Sequence, residues 1–228
     1  MRTAVVIGST GLTGLLVVKK LVQDGSFGQI IAICRNKNLA EDMVFSNPKV
    51  RLLQFDFQNW NNFELQISSF IGTSLANFFC CLGTTVSQAG SQKGFKKVDY
   101  EYVVNFAKLA KSCHAEQLIV ISALGADKNS VVYYNRIKGE MENDVQLEYS
   151  GKLYFLRPSL LLGDRKEFRF GERLAILFAP IYSLLFFGTF KKYLPVPAVK
   201  VAEVMVLLAA KKIIFSEMCL ENQDILKI

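Results

Sequence analysis

A chain of 228 residues, 51% of them apolar, can bury one substantial core without disulfides or metal. Its five cysteines (Cys34, Cys80, Cys81, Cys113, Cys219) are odd in number and lack metal-ligand spacing, and His114 is the only histidine. That weighs against a disulfide framework, a zinc site and a histidine-dependent hydrolase, and makes a reducing cytoplasm the expected compartment. The net charge of +7 is spread over scattered pairs such as Lys19-Lys20 and Lys191-Lys192. Without clustered basic and aromatic residues, an anionic cofactor or a membrane surface is favoured over nucleic acid.

The first apolar run, Thr3 to Ile7, is cut by a glycine turn and does not read as a signal peptide. That turn is Gly8-Ser9-Thr10-Gly11-Leu12-Thr13-Gly14, followed by an apolar stretch at helical density. Strand, glycine turn and helix in this order form a nucleotide-binding βα unit. A helix from Leu12 to Gln23 aims unpaired N–H groups and its dipole at the turn, where a pyrophosphate would sit. Gly8 allows the tight turn, Gly11 lets the phosphate approach, and Gly14 lets the helix lie close to the strand.

A second strand, Gln29–Cys34, ends at Arg35. An acidic residue at this strand end grips a free ribose hydroxyl, whereas an arginine suits a 2′-phosphate, so NADP(H) is expected over NAD(H). Strand three, Val50–Phe55, leads to Asp56, which either meets the adenine or caps the helix expected over Asn61–Phe70. Strand four, Asn77–Leu82, breaks at Gly83-Thr84; Leu82, Gly83 and Thr84 would pass the ribose and nicotinamide close to backbone. Val86–Gly94 reads as a loop over the site, Val98–Lys111 as a helix, and Gln117–Ile121 as strand five, ending in Ser122. Apolar strands alternating with helices predict a Rossmann-like, doubly wound parallel sheet with ligands at the carboxyl ends of its strands.

Tyr134 and Lys138 follow at helical i,i+4 spacing, which puts both on one face. A phenol is a poor base at neutral pH, and a nearby ammonium favours its ionised form. Ser122 would orient the substrate oxygen. Together, the glycine turn, Ser122 and Tyr134-x-x-x-Lys138 resemble the atypical NAD(P)-binding division of the short-chain dehydrogenase/reductase superfamily. Ser122-Ala123-Leu124-Gly125-Ala126-Asp127, Tyr134 to Glu142, and Arg157-Pro158-Ser159-Leu160-Leu161-Leu162-Gly163-Asp164-Arg165 are similar to the HIV-Tat-interacting-protein-like oxidoreductases. The resemblance implies an NADP(H)-binding oxidoreductase with Ser122, Tyr134 and Lys138 in the catalytic positions. Two residues depart from the pattern. Ala123 stands where a second serine is frequent, and Asp99 replaces an asparagine common in relatives with an extended substrate lobe, which leaves a proton-relay or helix-bending role there unsupported.

The last third holds a sixth strand, Lys152–Arg157, and then a small substrate lobe, so that one domain divides into a core of about residues 1–160 and a lobe and closing helix over 161–228. Leu160, Leu161 and the Gly163-Asp164-Arg165 turn face the substrate side. Arg165 and Arg169 either hold an anionic substrate or pair with Glu167 and Glu172. The apolar run Leu174–Phe190 contains Pro180 and Gly188 and is short for a membrane span. It reads first as lobe core or subunit interface, second as a membrane-surface contact. Val199–Lys212 is expected to be a helix, and Cys219–Ile228 a strand or a helix. Three functions follow: a reductase or dehydrogenase of a small carbonyl or alcohol, a non-catalytic NADP(H)-binding regulator, and a nucleotide-sugar epimerase or dehydratase. A homodimer is open.

Overall fold

The computed structural model describes residues 1–163 and 193–228. Strands β1 (Arg2–Ile7), β2 (Phe27–Cys34), β3 (Val50–Gln54), β4 (Ala76–Cys80), β5 (Gln117–Ile121) and β6 (Lys152–Arg157) are joined by the late strand β9 (Cys219–Glu221). They form one parallel sheet in the order β3-β2-β1-β4-β5-β6-β9. A short parallel pair, β7 (Leu161–Leu162) and β8 (Val196–Pro197), lies apart from it. Because the order reverses between β1 and β4, the crevice beyond their carboxyl ends is where a ligand is expected in such a sheet.

The strands are apolar on both faces because both are covered. Val5, Ile33, Phe78, Val120 and Phe155 pack against α2 (Trp60–Ile71), α4 (Tyr102–Ser112) and α5 (Tyr133–Glu148). Ala4, Val6, Phe79, Ile119 and Leu156 pack against α1 (Leu12–Gln23) and α6 (Ala198–Ala209). The register carries this alternation across the sheet, with Val5 opposite both Ile31 and Phe78, and Phe78 opposite Leu118. Burying a side chain of this size stabilises by roughly 1.5–3 kcal/mol, so the two layers are held mainly by these contacts.

Three elements differ from the sequence reading. Strand β4 ends at Cys80 rather than Leu82, because residues 81–82 turn toward the glycine turn after Cys81 N–H donates to Ile7 O at 3.0 Å. The polar stretch before Val98 is partly helical: α3 (Gln92–Lys96) starts on Ser91, whose hydroxyl accepts from Gly94 N–H at 3.0 Å. It runs through a π-helical turn, Lys97–Glu101, straight into α4. The tail supplies both a strand and a helix, β9 and then α7 (Asn222–Lys227), whose start carries a reciprocal Glu221–Asp224 capping box. Among the described residues no helix is long and apolar enough to cross a membrane. The readings placed on Leu174–Phe190, Arg165 and Arg169 lie outside the described residues.

Candidate active site

The glycine turn is shaped by contacts that side chains would block. Gly8 sits at φ +75°, and a β-carbon there would come within 2.8 Å of Cys81 O. A β-carbon on Gly14 would lie 2.1 Å from Gly8 O, so the first turn of α1 can rest on β1 only without one. Gly11 is the N-cap of α1 and offers no side-chain cap, and the first turn holds no acidic residue. The unpaired N–H groups of that first turn and the positive end of the helix dipole point at the crevice, with no acidic residue of the turn itself to neutralise them. The arrangement fits a pyrophosphate.

Gly11, Leu12 and Thr13 form one wall of a cleft whose other walls are Leu82, Gly83 and Thr84 after β4, Ser122 after β5, and Tyr134 and Lys138 on α5. Residues as far apart in the sequence as Gly11 and Lys138 thus share one space. Leu161 and Gln88 also line it, as expected of the substrate side and of the loop over the site, while Cys81, Ile121 and the Asp99 carboxylate line it without having been read as site residues from the sequence. Ser122 N–H donates to Leu156 O at 2.8 Å and Leu124 N–H to Pro158 O at 2.9 Å, which fixes the segment beyond β5 against the end of β6. The Ser122 hydroxyl is buried and has no hydrogen-bond partner among the described residues. Ala123 is buried and does not line the cleft. Tyr134 lies with its ring centroid 5.3 Å from that of Phe95 on α3.

Lys138 is the most deeply buried cation of the site. Its Nζ lies 2.8 Å from Asp99 Oδ1, with the two side chains 2% and 1% exposed. Burial works to discharge the ammonium, but the Asp99 carboxylate, followed by Tyr134 and Cys80, outweighs it and holds Lys138 above its ordinary pKa. Asp99 comes from the π-helical turn and accepts a second hydrogen bond from Thr84 N–H, at 2.9 Å to Oδ2. The departure from asparagine therefore sits inside a helix distortion and against the site lysine.

Other expected site residues sit elsewhere. Ser9 is wholly buried, with its hydroxyl donating to Ile33 O at 2.9 Å, so its side chain fastens the turn to β2 rather than facing the cleft. Neither Gly8, Thr10 nor Gly14 lines the cleft; they shape the turn from behind. Arg35 is exposed at the end of β2, with no ion pair or hydrogen bond of its side chain among the described residues. Asp56 caps no helix: its carboxylate accepts from Gln58 N–H at 3.0 Å in a local turn, and Asn59 caps α2. A second hollow, beside Tyr149, Lys152 and Met218, lies at the opposite end of β6 and contains no buried polar atom lacking a partner among the described residues.

The NAD(P)H-binding family matches residues 8–165, from the glycine turn to beyond β7. The chain belongs to this family. It is 33% identical over 174 residues to the rat protein HTATIP2, covering 76% of this chain and 69% of that one. Protein FMP52, mitochondrial, of Debaryomyces hansenii is 31% identical over 165 residues, covering 72% and 69%. Among solved structures, a wide-type short-chain dehydrogenase/reductase from Veillonella parvula superposes with a TM-score of 0.59 at 12% identity, covering 92% of this chain and 87% of that one. That likeness is one of fold. The fungal relatives overturn the cytoplasmic placement, since they are named mitochondrial. Unpaired thiols separate oxidising from reducing compartments and cannot tell one reducing compartment from another.

Proposed function

We propose that the protein is an NADP(H)-dependent oxidoreductase that interconverts a small carbonyl compound and its alcohol, with Ser122, Tyr134 and Lys138 at the reacting oxygen. The observation that carries this reading is the Ser122 hydroxyl, buried without a partner among the described residues in the wall it shares with Tyr134 and Lys138. An unsatisfied buried polar group costs roughly 1–3 kcal/mol, and a substrate oxygen would supply the missing partner. The amides of Leu12 and Thr13 suit the pyrophosphate, Arg35 the 2′-phosphate, and Leu82 to Thr84 the ribose and nicotinamide. The Veillonella parvula enzyme of similar fold was solved in complex with NADP, which is in keeping with this assignment. The mitochondrial naming of the fungal relatives supports a mitochondrial setting.

A nicotinamide held along Leu82 to Thr84 would supply the hydride that the carbonyl carbon needs, or accept the one that the alcohol carbon loses. Ser122 donates a hydrogen bond to the carbonyl oxygen and fixes its direction. Tyr134 gives its hydroxyl proton to that oxygen as the alcohol forms, and takes it back in the reverse direction. Lys138 stabilises the charge left on the phenol oxygen and offers its remaining protons to the ribose hydroxyls. General acid catalysis of this kind contributes typically about 10²–10⁴-fold. Tyr134→Phe is therefore expected to lower turnover of an aldehyde and ketone panel, followed at the nicotinamide absorbance, by at least about a hundredfold. NADPH affinity measured by calorimetry should stay close to wild type. Unchanged turnover would remove Tyr134 from the mechanism.

A further inference from the structure

We propose that Asp99 is a positioning residue of this site: it fixes the Lys138 ammonium in place and in its charged form, and it clamps the Gly83-Thr84 segment to the same carboxylate. This deepens the oxidoreductase reading and rests on it for its consequence, though not for its test. The geometry is specific. Asp99 is completely buried, while Lys97 and Glu101 two positions to either side are exposed, so the π-helical turn delivers one carboxylate inward. Turns of this type recur at functional sites. One oxygen of Asp99 lies 2.8 Å from Lys138 Nζ and the other accepts from Thr84 N–H. The same carboxylate thus touches the helix that carries Tyr134 and the segment along which the cofactor would pass.

A carboxylate does here what an amide cannot. An ammonium with 2% of its side chain exposed has lost most of its contact with water; with a neutral neighbour in place of Asp99, burial would lower its pKa. The groups whose charge reaches Lys138 are Asp99 from the π-helical turn, Tyr134 one turn earlier on α5, and Cys80 from β4. Of these, Asp99 acts most strongly. Lys138 accordingly keeps its charge through neutral and mildly alkaline pH, and its grip on the ribose does not fade as pH rises. Replacing Asp99 removes the largest influence opposing burial, and Lys138 discharges at lower pH.

The test reads Lys138 directly in the protein without cofactor or substrate. Protein carrying ¹⁵N- and ¹³C-labelled lysine is titrated by NMR, with the Lys138 signal assigned through Lys138→Arg. In the wild type, Lys138 should remain protonated beyond its ordinary value of 10.5. In Asp99→Asn it should titrate at least about one unit lower than in the wild type, the equivalent of about 1.4 kcal/mol, and Asp99→Glu should restore much of the difference. NADPH affinity should then fall with rising pH in Asp99→Asn and stay level in the wild type. An unchanged Lys138 titration in Asp99→Asn overturns the proposal. Should Asp99→Asn fail to fold, the double variant with Lys138→Met is expected to fold, because it removes the stranded charge; a double variant equally unfolded counts against the proposal. The oxidoreductase reading fails separately, through turnover that survives Tyr134→Phe.

Discussion

At Gly139 a β-carbon would lie 2.1 Å from the backbone nitrogen of Lys128 and 2.2 Å from the carbonyl carbon of Asp127. These are backbone atoms with no rotamer to yield, so α5 can lie against the 127–128 loop only through glycine. The neighbours of Gly139 include Lys138, and Tyr134 stands just over one turn earlier. Gly139→Ala should therefore destabilise by about 1–3 kcal/mol, the usual cost of overpacking, and lower turnover by moving Tyr134 and Lys138 out of line with Ser122. Urea unfolding read beside turnover checks both; an unaltered unfolding midpoint would contradict the contact. Arg35 makes a prediction of the opposite kind, since nothing in the described fold depends on its side chain. Arg35→Asp should leave stability unchanged and shift the NADPH-to-NADH affinity ratio at least about tenfold toward NADH, which is about 1.4 kcal/mol. Calorimetry with the two cofactors decides it, and an unmoved ratio would assign the 2′-phosphate to other residues.

The continuous run from α3 through the π-helical turn into α4 is tied to α5 by several polar contacts, three of them close to the site. Asp99 meets Lys138, the Tyr100 hydroxyl donates to Asp144, and Lys96 Nζ lies 3.7 Å from Glu140 Oε2. The Tyr100 hydrogen bond, then that from Asn143, holds the Asp144 carboxyl below its ordinary range, and the same contact pushes the Tyr100 phenol up to about 12. A carboxyl with a lowered folded pKa adds stability above its unfolded value of 3.8, and that share is lost as pH falls through the folded value. Tyr100→Phe should accordingly be less stable than wild type at neutral pH, with the two converging as pH drops below about 3.8. Urea midpoints measured across that range test it; curves that stay parallel would exclude this contact as the cause.

The same region shows why part of the site was illegible in the sequence. Apolar residues at helical spacing made α4 visible, but one extra residue in a single turn leaves the flanking pattern intact. A helix-bending role at position 99 is left unsupported by the sequence because Asp99 departs from asparagine, although the π-helical turn lies there. The glycine turn, Ser122 and the Tyr134/Lys138 pair could be read because each declares itself over a few neighbouring positions. Asp99 could not be matched to Lys138, since 39 positions separate them and only the folded sheet brings them together. Ser9 and Asp56 show the converse: both belong to recognisable segments, yet their side chains are spent on Ile33 O and Gln58 N–H.

At the scale of the whole molecule, Arg157 at the end of β6 joins α5 to the last strand of the sheet. Its Nε donates to Glu142 Oε1 on α5 at 3.0 Å and a second guanidinium nitrogen reaches the other oxygen of that carboxylate. Its Nη1 donates to Glu221 Oε1 on β9 at 2.9 Å. Glu142 and then Glu221 raise the guanidinium pKa against the opposing effect of burial. The planar fork of arginine matches this paired geometry. Arg157→Ala would strand the buried Glu142 carboxylate and should cost about 3 kcal/mol in urea unfolding. A loss within about 0.5 kcal/mol, as at ordinary surface sites, would reduce the contact to decoration.

The seventh strand has a consequence for how the molecule is made. Glu221 follows Arg157 by 64 positions, and β9 covers the flank of β6 through Phe155, Leu156 and Arg157. On the ribosome, the segment carrying Ser122, Tyr134 and Lys138 is synthesised well before the strand that closes the sheet beside it. Until residues 219–221 emerge, β6 presents an unpaired edge of the kind that invites wrong partners. A nascent chain arrested short of those residues should be cleaved readily near β6 by added protease, and one released with them should resist.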